Sequence, residues 1–168
     1  MNKIFISYSS KNRKYARIIY ECLKKYFDVW IDEKGLLVGD DFEREISNEI
    51  DNRNIYVLLL SKEFWESEFI YEKELPKIFN NHFGQIVPVI LDTISSLDDK
   101  KGNFILNRGL SHLNAFPRDE NGNLTSIKEL GLKKSLEYLI NGIKKLPLTE
   151  YLKFSFIMSP EKKTKRIC

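Results

Sequence analysis

Cysteine and histidine, the residues behind disulfide frameworks and many metal sites, are scarce in this sequence. Its 168 residues include two of each. Cys22 falls within a helical pattern and Cys168 is the last residue, so a disulfide framework is not expected. His82 and His112 are far apart and have no cysteines or acids at ligand spacing, so no metal site is predicted.

A long hydrophobic run and a strong charge imbalance are also missing. No apolar stretch approaches the roughly 20 residues that span a bilayer. Met1-Asn2-Lys3 leads straight into a strand pattern, which is not typical of a signal peptide. The net charge is only +3, and the tail Lys162-Lys163-Thr164-Lys165-Arg166 carries much of it. We therefore expect a cytoplasmic protein that binds neither nucleic acid nor membrane.

Apolar segments alternate with helical patterns along most of the chain. Strands are predicted over residues 3–7, 27–31, 55–60 and 86–91, with Pro88 marking an edge or a strand start. Helices are predicted over 12–26, from Asp40 or Asp41 onwards, and over 126–145. Residues 62–81 are predicted to be helical in places, with a break or a new helix at Pro76. This alternation predicts the α/β class: a flavodoxin-like three-layer sandwich, with about five parallel strands and helices on both faces.

Polar residues follow three of the predicted strands where each strand ends. Ser7-Tyr8-Ser9 ends the first apolar run, Asp32 closes the second, and Ser61 follows the third. In an open α/β sheet this is the edge at which ligands bind.

Several common classes of site are excluded by what stands at this edge. A receiver domain of two-component signalling would need an acidic cluster after the first strand and an aspartate after the third, and neither is present. The loop bearing Gly35 and Gly39 lacks the glycine patterns of dinucleotide and P-loop sites. No Gly-x-Ser-x-Gly elbow occurs either.

Five short patterns remain, and their order is informative. They are Phe5-Ile6-Ser7-Tyr8-Ser9; Trp30-Ile31-Asp32 followed by Gly39 and Phe42; Leu60-Ser61 followed by Phe64, Ser67 and Phe69-Ile70; Glu74-Leu75-Pro76; and Val87-Pro88-Val89-Ile90. Together they resemble the Toll/interleukin-1 receptor (TIR) domain family, especially its bacterial members, from Ile4 to about Lys145. The resemblance implies a TIR domain at 1–146 and a C-terminal extension at 147–168 that is partly disordered or docks a partner.

The chain departs from the family pattern at a few positions. Asn12 replaces the aspartate usual after the first pattern, and Val38 replaces a common proline. Phe69-Ile70 replaces a frequent Trp-Cys pair.

The resemblance implies an enzyme that uses NAD⁺ as its substrate and needs no cofactor. Many bacterial TIR domains cleave the nicotinamide–ribose bond and give ADP-ribose or its cyclised isomers. The reaction needs stabilisation of the developing oxocarbenium ion on the ribose, and a carboxylate held close to the ribose hydroxyls can supply it. Glu74 is the predicted catalytic residue. Glu72 is the alternative, because the family spacing from Phe69-Ile70 falls between the two, on Lys73.

Further substrate-binding residues are expected around this carboxylate. Phe5, Ser7 and Tyr8 leave the first strand at the ligand edge, although Tyr8 could equally be a half-buried phenol. Asp32 leaves the second strand there, and Lys34 could meet a phosphate. Phe69 is placed to stack on nicotinamide or to line its pocket. Trp30 and Trp65 are expected to be packing residues.

The loop over residues 33–41 is the expected assembly surface. In the family the corresponding loop packs against a neighbouring TIR domain, and assembly often switches catalysis on. The residues predicted to take part are Gly35, Leu36, Leu37, Val38, Gly39 and Phe42. We therefore expect self-association, with weak activity at low concentration.

Three roles are open at this stage. The first is an NAD⁺-cleaving signalling enzyme in bacterial antiphage defence, with a separate effector that senses the product. The second is a non-enzymatic adaptor that acts through TIR–TIR contacts alone. The third is an effector that mimics host TIR domains.

Overall fold

The computed structural model describes residues 2–32, 40–81, 84–92 and 116–147, except the side chains at 40 and 41. The strands in these ranges are β1 (Lys3–Ser7), β2 (Asp28–Ile31), β3 (Ile55–Leu60) and β4 (Gln85–Ile90). The helices are α1 (Arg13–Leu23), α2 (Asp40–Asp51), α3 (Lys62–Glu66), α4 (Leu75–Asn80), α5 (Ile127–Leu130) and α6 (Leu132–Lys144). A 3-10 turn (Ser10–Asn12) precedes α1, and a π-helical turn (Ile70–Glu74) runs directly into α4.

The four strands form one parallel sheet in the order β2-β1-β3-β4. β1 therefore lies between β2 and β3, and the chain crosses to opposite sides of it in turn. Open α/β sheets hold their ligands outside the carboxyl ends of the strands at such a reversal of strand order. The residues that follow Ser7, Ile31 and Leu60 all emerge at this edge.

Each face of the sheet has its own core, because alternate side chains of a strand point to opposite faces. One core joins the sheet to α1 and α6 through Ile4, Ile6, Ile19, Leu139 and Ile143. The other joins it to α2, α3 and α4 through Phe5, Tyr56, Leu58, Ile46, Ile50, Phe64 and Ile78. All six residues of β3 are buried, as its uninterrupted apolar run predicts. The predicted three-layer α/β architecture is confirmed.

Pro88 lies within β4, at an edge of the described sheet. Its carbonyl accepts a hydrogen bond from the Phe116 N–H at 2.9 Å, and the Phe116 carbonyl accepts one from the Ile90 N–H at 2.8 Å. Both bonds lie on the side of β4 away from β3. Since the N–H and C=O positions of one strand residue share a side, the missing N–H of Pro88 costs no bond to β3. Of the two expected positions, an edge or a strand start, the described ranges show an edge.

The described ranges contain four strands of the expected sheet of about five. Phe116 occupies the fifth position as a one-residue parallel bridge to Val89. The chain then turns back, because Arg118 pairs with Leu124 in an antiparallel bridge. The Asp119 carboxylate closes this turn by accepting hydrogen bonds from the main-chain N–H groups of Asn121 and Asn123. Residues 93–115 lie outside the described ranges.

The single helix predicted over 126–145 is corrected to two helices, α5 and α6. Gly131 separates them with φ +89°, a backbone conformation that favours glycine. Ser126 caps α5 by accepting a hydrogen bond from the Glu129 N–H, while the Glu129 carboxylate accepts one from the Ser126 N–H. The apolar spacing continues through Gly131, so periodicity alone did not show the break.

The sequence predicted no disulfide framework, no metal site and no membrane-spanning segment. Cys22 carries a free thiol, whereas Cys168, His82 and His112 lie outside the described residues. In the part of the chain that the structure describes, none of the helices has both the length and the apolar character to cross a membrane.

The close approach of α6 to the Phe116 bridge can be tested at Gly142. A methyl group at this position would lie 2.5 Å from the Phe116 ring. Alanine favours a helix over glycine by up to about 1 kcal/mol, yet we expect Gly142→Ala to lower the free energy of unfolding by about 1–3 kcal/mol through overpacking. Urea denaturation measures this. The exposed control Asn141→Ala on the same helix should stay within about 0.5 kcal/mol of the wild type. A Gly142→Ala protein at least as stable as the wild type would contradict the close contact.

Candidate active site

Ser7 and Glu74 meet at the carboxyl edge of the sheet. Ser7 is the last residue of β1, and its side chain lies on the same face as that of Phe5, toward α2 and α4. Its hydroxyl donates a hydrogen bond to a Glu74 carboxylate oxygen, with Oγ and Oε2 2.5 Å apart. Both residues are buried, and Glu74 exposes 7% of its surface. A carboxylate is therefore held where the strand order reverses.

The π turn determines which acidic residue faces Ser7. Within it the Leu75 N–H bonds to the Ile70 carbonyl, five residues back instead of four. Such a turn accommodates one extra residue inside a helix. With this extra residue Glu74 is buried and faces Ser7, while Glu72 and Lys73 are exposed. In the sequence, the misfit in spacing and the break predicted at Pro76 both lie at this turn.

The surroundings of Glu74 favour its protonated form. Burial raises the pKa of Glu74 from its ordinary 4.5 to about 7, because the ionised carboxylate loses its hydration. The Ser7 hydrogen bond lowers this pKa in part, and the negative charge of Asp32 raises it. Such perturbed values cluster at functional sites. Glu74 can therefore gain or lose a proton near neutral pH.

Tyr8 and Asp32 connect the ends of β1 and β2 beside the carboxylate. The Tyr8 hydroxyl donates a hydrogen bond to the main-chain carbonyl of Asp32, and both residues are half-buried. Ser7, Asp32 and Glu74 thus lie near one another at this edge, while the Tyr8 ring packs against the core on the other face of the sheet, with α1 and α6. Lys34 lies outside the described residues.

Phe5 lies beneath this site and not on its surface. It is 1% exposed, and its ring stacks on Trp30 with the centroids 5.0 Å apart and 14° between the planes. Its predicted contact with a substrate is therefore not available in this structure, and the ring supports the site from below. Trp65 is buried and Trp30 half-buried, both within the same core, as predicted.

Phe69 contacts Phe42 beside the π turn. The two rings are 5.5 Å apart and tilted by 35°, and Lys73 forms an exposed ion pair with Glu43 of α2 at 3.3 Å. The predicted nicotinamide-stacking residue and the last predicted assembly residue are thus neighbours. The other assembly residues, Gly35, Leu36, Leu37, Val38 and Gly39, lie outside the described residues.

A second polar pair at the same edge was missed by the sequence reasoning. The Ser61 hydroxyl donates a hydrogen bond to Asn12 Oδ1 at 2.7 Å and accepts one from the Phe64 N–H at 3.1 Å, capping α3. A serine between a strand and a helix is a sequence signal for the cap. Its pairing with Asn12 had no such signal, because the two residues are 49 positions apart.

Comparison with known proteins identifies the fold. Residues 4–126 match the family model described as TIR domain. The chain belongs to the TIR domain family. This TIR domain is 29% identical over 113 residues to a protein of Methanobrevibacter olleyae named probable 2' cyclic ADP-D-ribose synthase TcpO. The match covers 64% of the chain, which spans about a third (33%) of that relative's length.

A solved structure shows the same architecture. The TIR domains in the structure of the activated Roq1 resistosome directly recognizing the pathogen effector XopQ match with a TM-score of 0.50. The identity is 21%, and the match covers 84% of this TIR domain and 84% of that chain. At this identity the likeness shows the fold alone.

The predicted domain boundary at residue 146 extends beyond the family match. The helix α6 follows residue 126 and places Leu139 and Ile143 in the same core as Ile4 and Ile6. α6 therefore packs with residues of the family match, and the predicted boundary at residue 146 stays a prediction. Residues 148–168 lie outside the described ranges, so the predicted role of the 147–168 extension stays a prediction.

The burial of Glu74 predicts a pH-dependent cost to folding. Because its pKa is raised from 4.5 to about 7, the protonated form contributes stability that is present below pH 4.5 and lost as pH rises through 7. Glu74→Gln keeps the shape without the charge. We expect it to match the wild type near pH 4.5 and to exceed its free energy of unfolding by roughly 3 kcal/mol above pH 7.

Urea denaturation across this pH range measures the difference. The exposed Glu72→Gln is the matched control and should show no such divergence. A constant difference between Glu74→Gln and the wild type at all pH values would contradict the buried carboxylate.

Proposed function

We propose that this TIR domain cleaves NAD⁺ between nicotinamide and ribose, with Glu74 as the catalytic carboxylate. The observation that carries the proposal is the buried Glu74 carboxylate, hydrogen-bonded to Ser7 at the strand-order reversal. The name of the Methanobrevibacter olleyae relative, a probable 2' cyclic ADP-D-ribose synthase, supports the same class of chemistry. NAD⁺ is the substrate in this proposal, and no cofactor takes part.

The proposed reaction breaks the bond between ribose C1′ and the nicotinamide ring nitrogen. The electron pair of that bond passes to the nitrogen, so the cationic ring leaves as neutral nicotinamide and needs no acid. The positive charge moves to the ribose as an oxocarbenium ion. A water oxygen that attacks C1′ and loses a proton gives ADP-ribose. Attack by a nucleophile within the same ADP-ribose, with loss of its proton, gives a cyclic isomer.

The ionised Glu74 carboxylate would stabilise this intermediate through charge and through hydrogen bonds from the ribose hydroxyls. Such interactions are strong where water is excluded. Ser7 holds one carboxylate oxygen, which leaves the other available to the substrate. A cationic substrate beside Glu74 would also favour ionisation of a group whose pKa is about 7 in the free protein.

Self-association and defence signalling complete the proposal. Phe42, a predicted assembly residue, contacts Phe69, a predicted substrate-binding residue. A neighbouring copy that packs against Phe42 would therefore be separated from the substrate site by the Phe69 ring alone. We propose that association of copies raises activity and that a separate effector senses the product. The adaptor is the alternative role, in which the Glu74 carboxylate would be dispensable.

The first test compares two neighbouring glutamates with the same substitution. We expect Glu74→Gln to lower nicotinamide release from NAD⁺ by about 100-fold or more, as for loss of a group that stabilises transition-state charge. Glu72→Gln should keep wild-type activity because its side chain is exposed. Chromatography with mass spectrometry of the products, over a series of protein concentrations, gives the rate, the co-product and the effect of association.

The outcomes separate the proposed roles. Loss of activity in Glu72→Gln, with Glu74→Gln intact, would transfer the catalytic role to Glu72. Absence of turnover by wild-type protein, even when copies are clustered artificially, would leave the adaptor as the better role.

The pH dependence of the reaction supplies a second test with opposite signs at two residues. Ionised Glu74 is the active form, so kcat/KM of the wild type should rise with pH to a plateau through an apparent pKa near 7. Asp32→Asn removes a charge that raises this pKa and should move the rise to lower pH. Ser7→Ala removes a hydrogen bond that lowers it and should move the rise to higher pH. Shifts in the same direction would contradict the assignment of Glu74.

A further inference from the structure

We propose that Pro76 is a positioning residue. It prevents residues 70–74 from forming an ordinary α-helical turn, and the π turn that they form instead places the Glu74 carboxylate against Ser7. The inference rests on the proposed function for its meaning to catalysis, but its geometry concerns the backbone alone. Pro76 is exposed, so its ring contributes nothing to the core. Its effect must arise from what proline does to a helix.

Proline disrupts the turn that precedes it. It has no N–H to bond the carbonyl four residues back, and its ring clashes with that carbonyl. In a continuous α-helix the carbonyl in question would belong to Glu72. Pro76 is the second residue of α4, which continues directly from the π turn. The conflict between the proline ring and the preceding turn must therefore be relieved within that turn.

The hydrogen bonds change register just before this proline. The Tyr71 N–H bonds to the Ser67 carbonyl, four residues back, at 3.0 Å. The Leu75 N–H bonds to the Ile70 carbonyl, five residues back. The helix therefore contains one extra residue between Tyr71 and Leu75. This shift displaces the preceding carbonyl groups from the position in which one of them would clash with the proline ring.

This extra residue decides where Glu74 lies. Ile70, Glu74, Leu75 and Ile78 are all buried, whereas Glu72 and Lys73 are exposed. Closing the turn to an α-helix with the same residues would rotate Glu74 relative to Ile70 and Ser7. Removing one exposed residue at the same time would turn the Glu74 side chain back toward Ser7. The proposal can therefore be tested with one variant that displaces Glu74 and a second that returns it to its place.

Two variants carry the test. Pro76→Ala supplies the N–H that lets the turn close with all its residues present. The second variant combines Pro76→Ala with deletion of Glu72, whose side chain is exposed. Asn80→Ala, also exposed and on α4, controls for the effect of alanine on the helix.

The primary readout is the pKa of Glu74 in the full chain, from NMR of ¹³C-labelled glutamate carboxyls assigned with Glu74→Gln. We expect Pro76→Ala to lower this pKa by about one unit or more as the carboxylate leaves its buried site. The added deletion should return it to the wild-type value. Asn80→Ala should not change it. This readout needs no turnover, so it remains decisive even if NAD⁺ is not a substrate.

NAD⁺ cleavage is the second readout. A misplaced carboxylate should lower kcat by about tenfold or more in Pro76→Ala, and the added deletion should restore it without loss of thermal stability. A wild-type Glu74 pKa in Pro76→Ala would overturn the proposal, as would a double variant no closer to wild type than Pro76→Ala alone. Normal rescue of the pKa with no turnover in any protein would instead count against the proposed function.

Discussion

The burial of one carboxylate at the end of a central parallel strand is the constraint on which the rest of the site depends. Glu74 is placed between two opposing effects: loss of hydration favours its protonated form, and the Ser7 hydroxyl favours its ionised form. The balance leaves its proton exchangeable near neutral pH. This arrangement requires β1 in the middle of the sheet, with Ser7 as its last residue. The neighbouring strand β2 then brings Asp32 to the same edge.

Stability and the proposed function favour different protonation states of Glu74. The fold is best served by a neutral side chain in this position, whereas stabilising a ribosyl cation needs the charged form. Proteins retain such costs where a site requires them. The cost is bearable here because two apolar cores, one on each face of the sheet, hold the surrounding elements in place.

The strands and most helices could be predicted because their patterns are local. The six buried residues of β3 form an unbroken apolar run, and Pro88 correctly indicated an edge. Ser7, Asp32 and Ser61 could be placed at one edge because parallel strands end together. The helix break at Gly131 was not predicted, because the apolar spacing is the same on both sides of it.

Two kinds of feature could not be predicted. One is a contact between residues that are distant in the sequence, and the other is a helical turn that contains one extra residue. The pairing of Ser61 with Asn12 is of the first kind. The π turn is of the second, and it left Glu72 and Glu74 undecided from sequence. Phe5 was expected at the ligand edge together with Ser7 and Tyr8. Two residues along a strand is about 7 Å, however, which is enough to move a side chain from the edge into the core.

The outer side of β4 has a consequence for aggregation. An open strand edge offers a row of unpaired donors and acceptors, onto which a strand of another molecule can add. On β4 the row is interrupted at Pro88, which has no donor, and Phe116 already occupies the bonding groups of Pro88 and Ile90. At these positions an incoming strand would find neither a free donor nor a free acceptor on Pro88 and no free N–H on Ile90. Addition of a strand from another molecule along this stretch of β4 is therefore disfavoured.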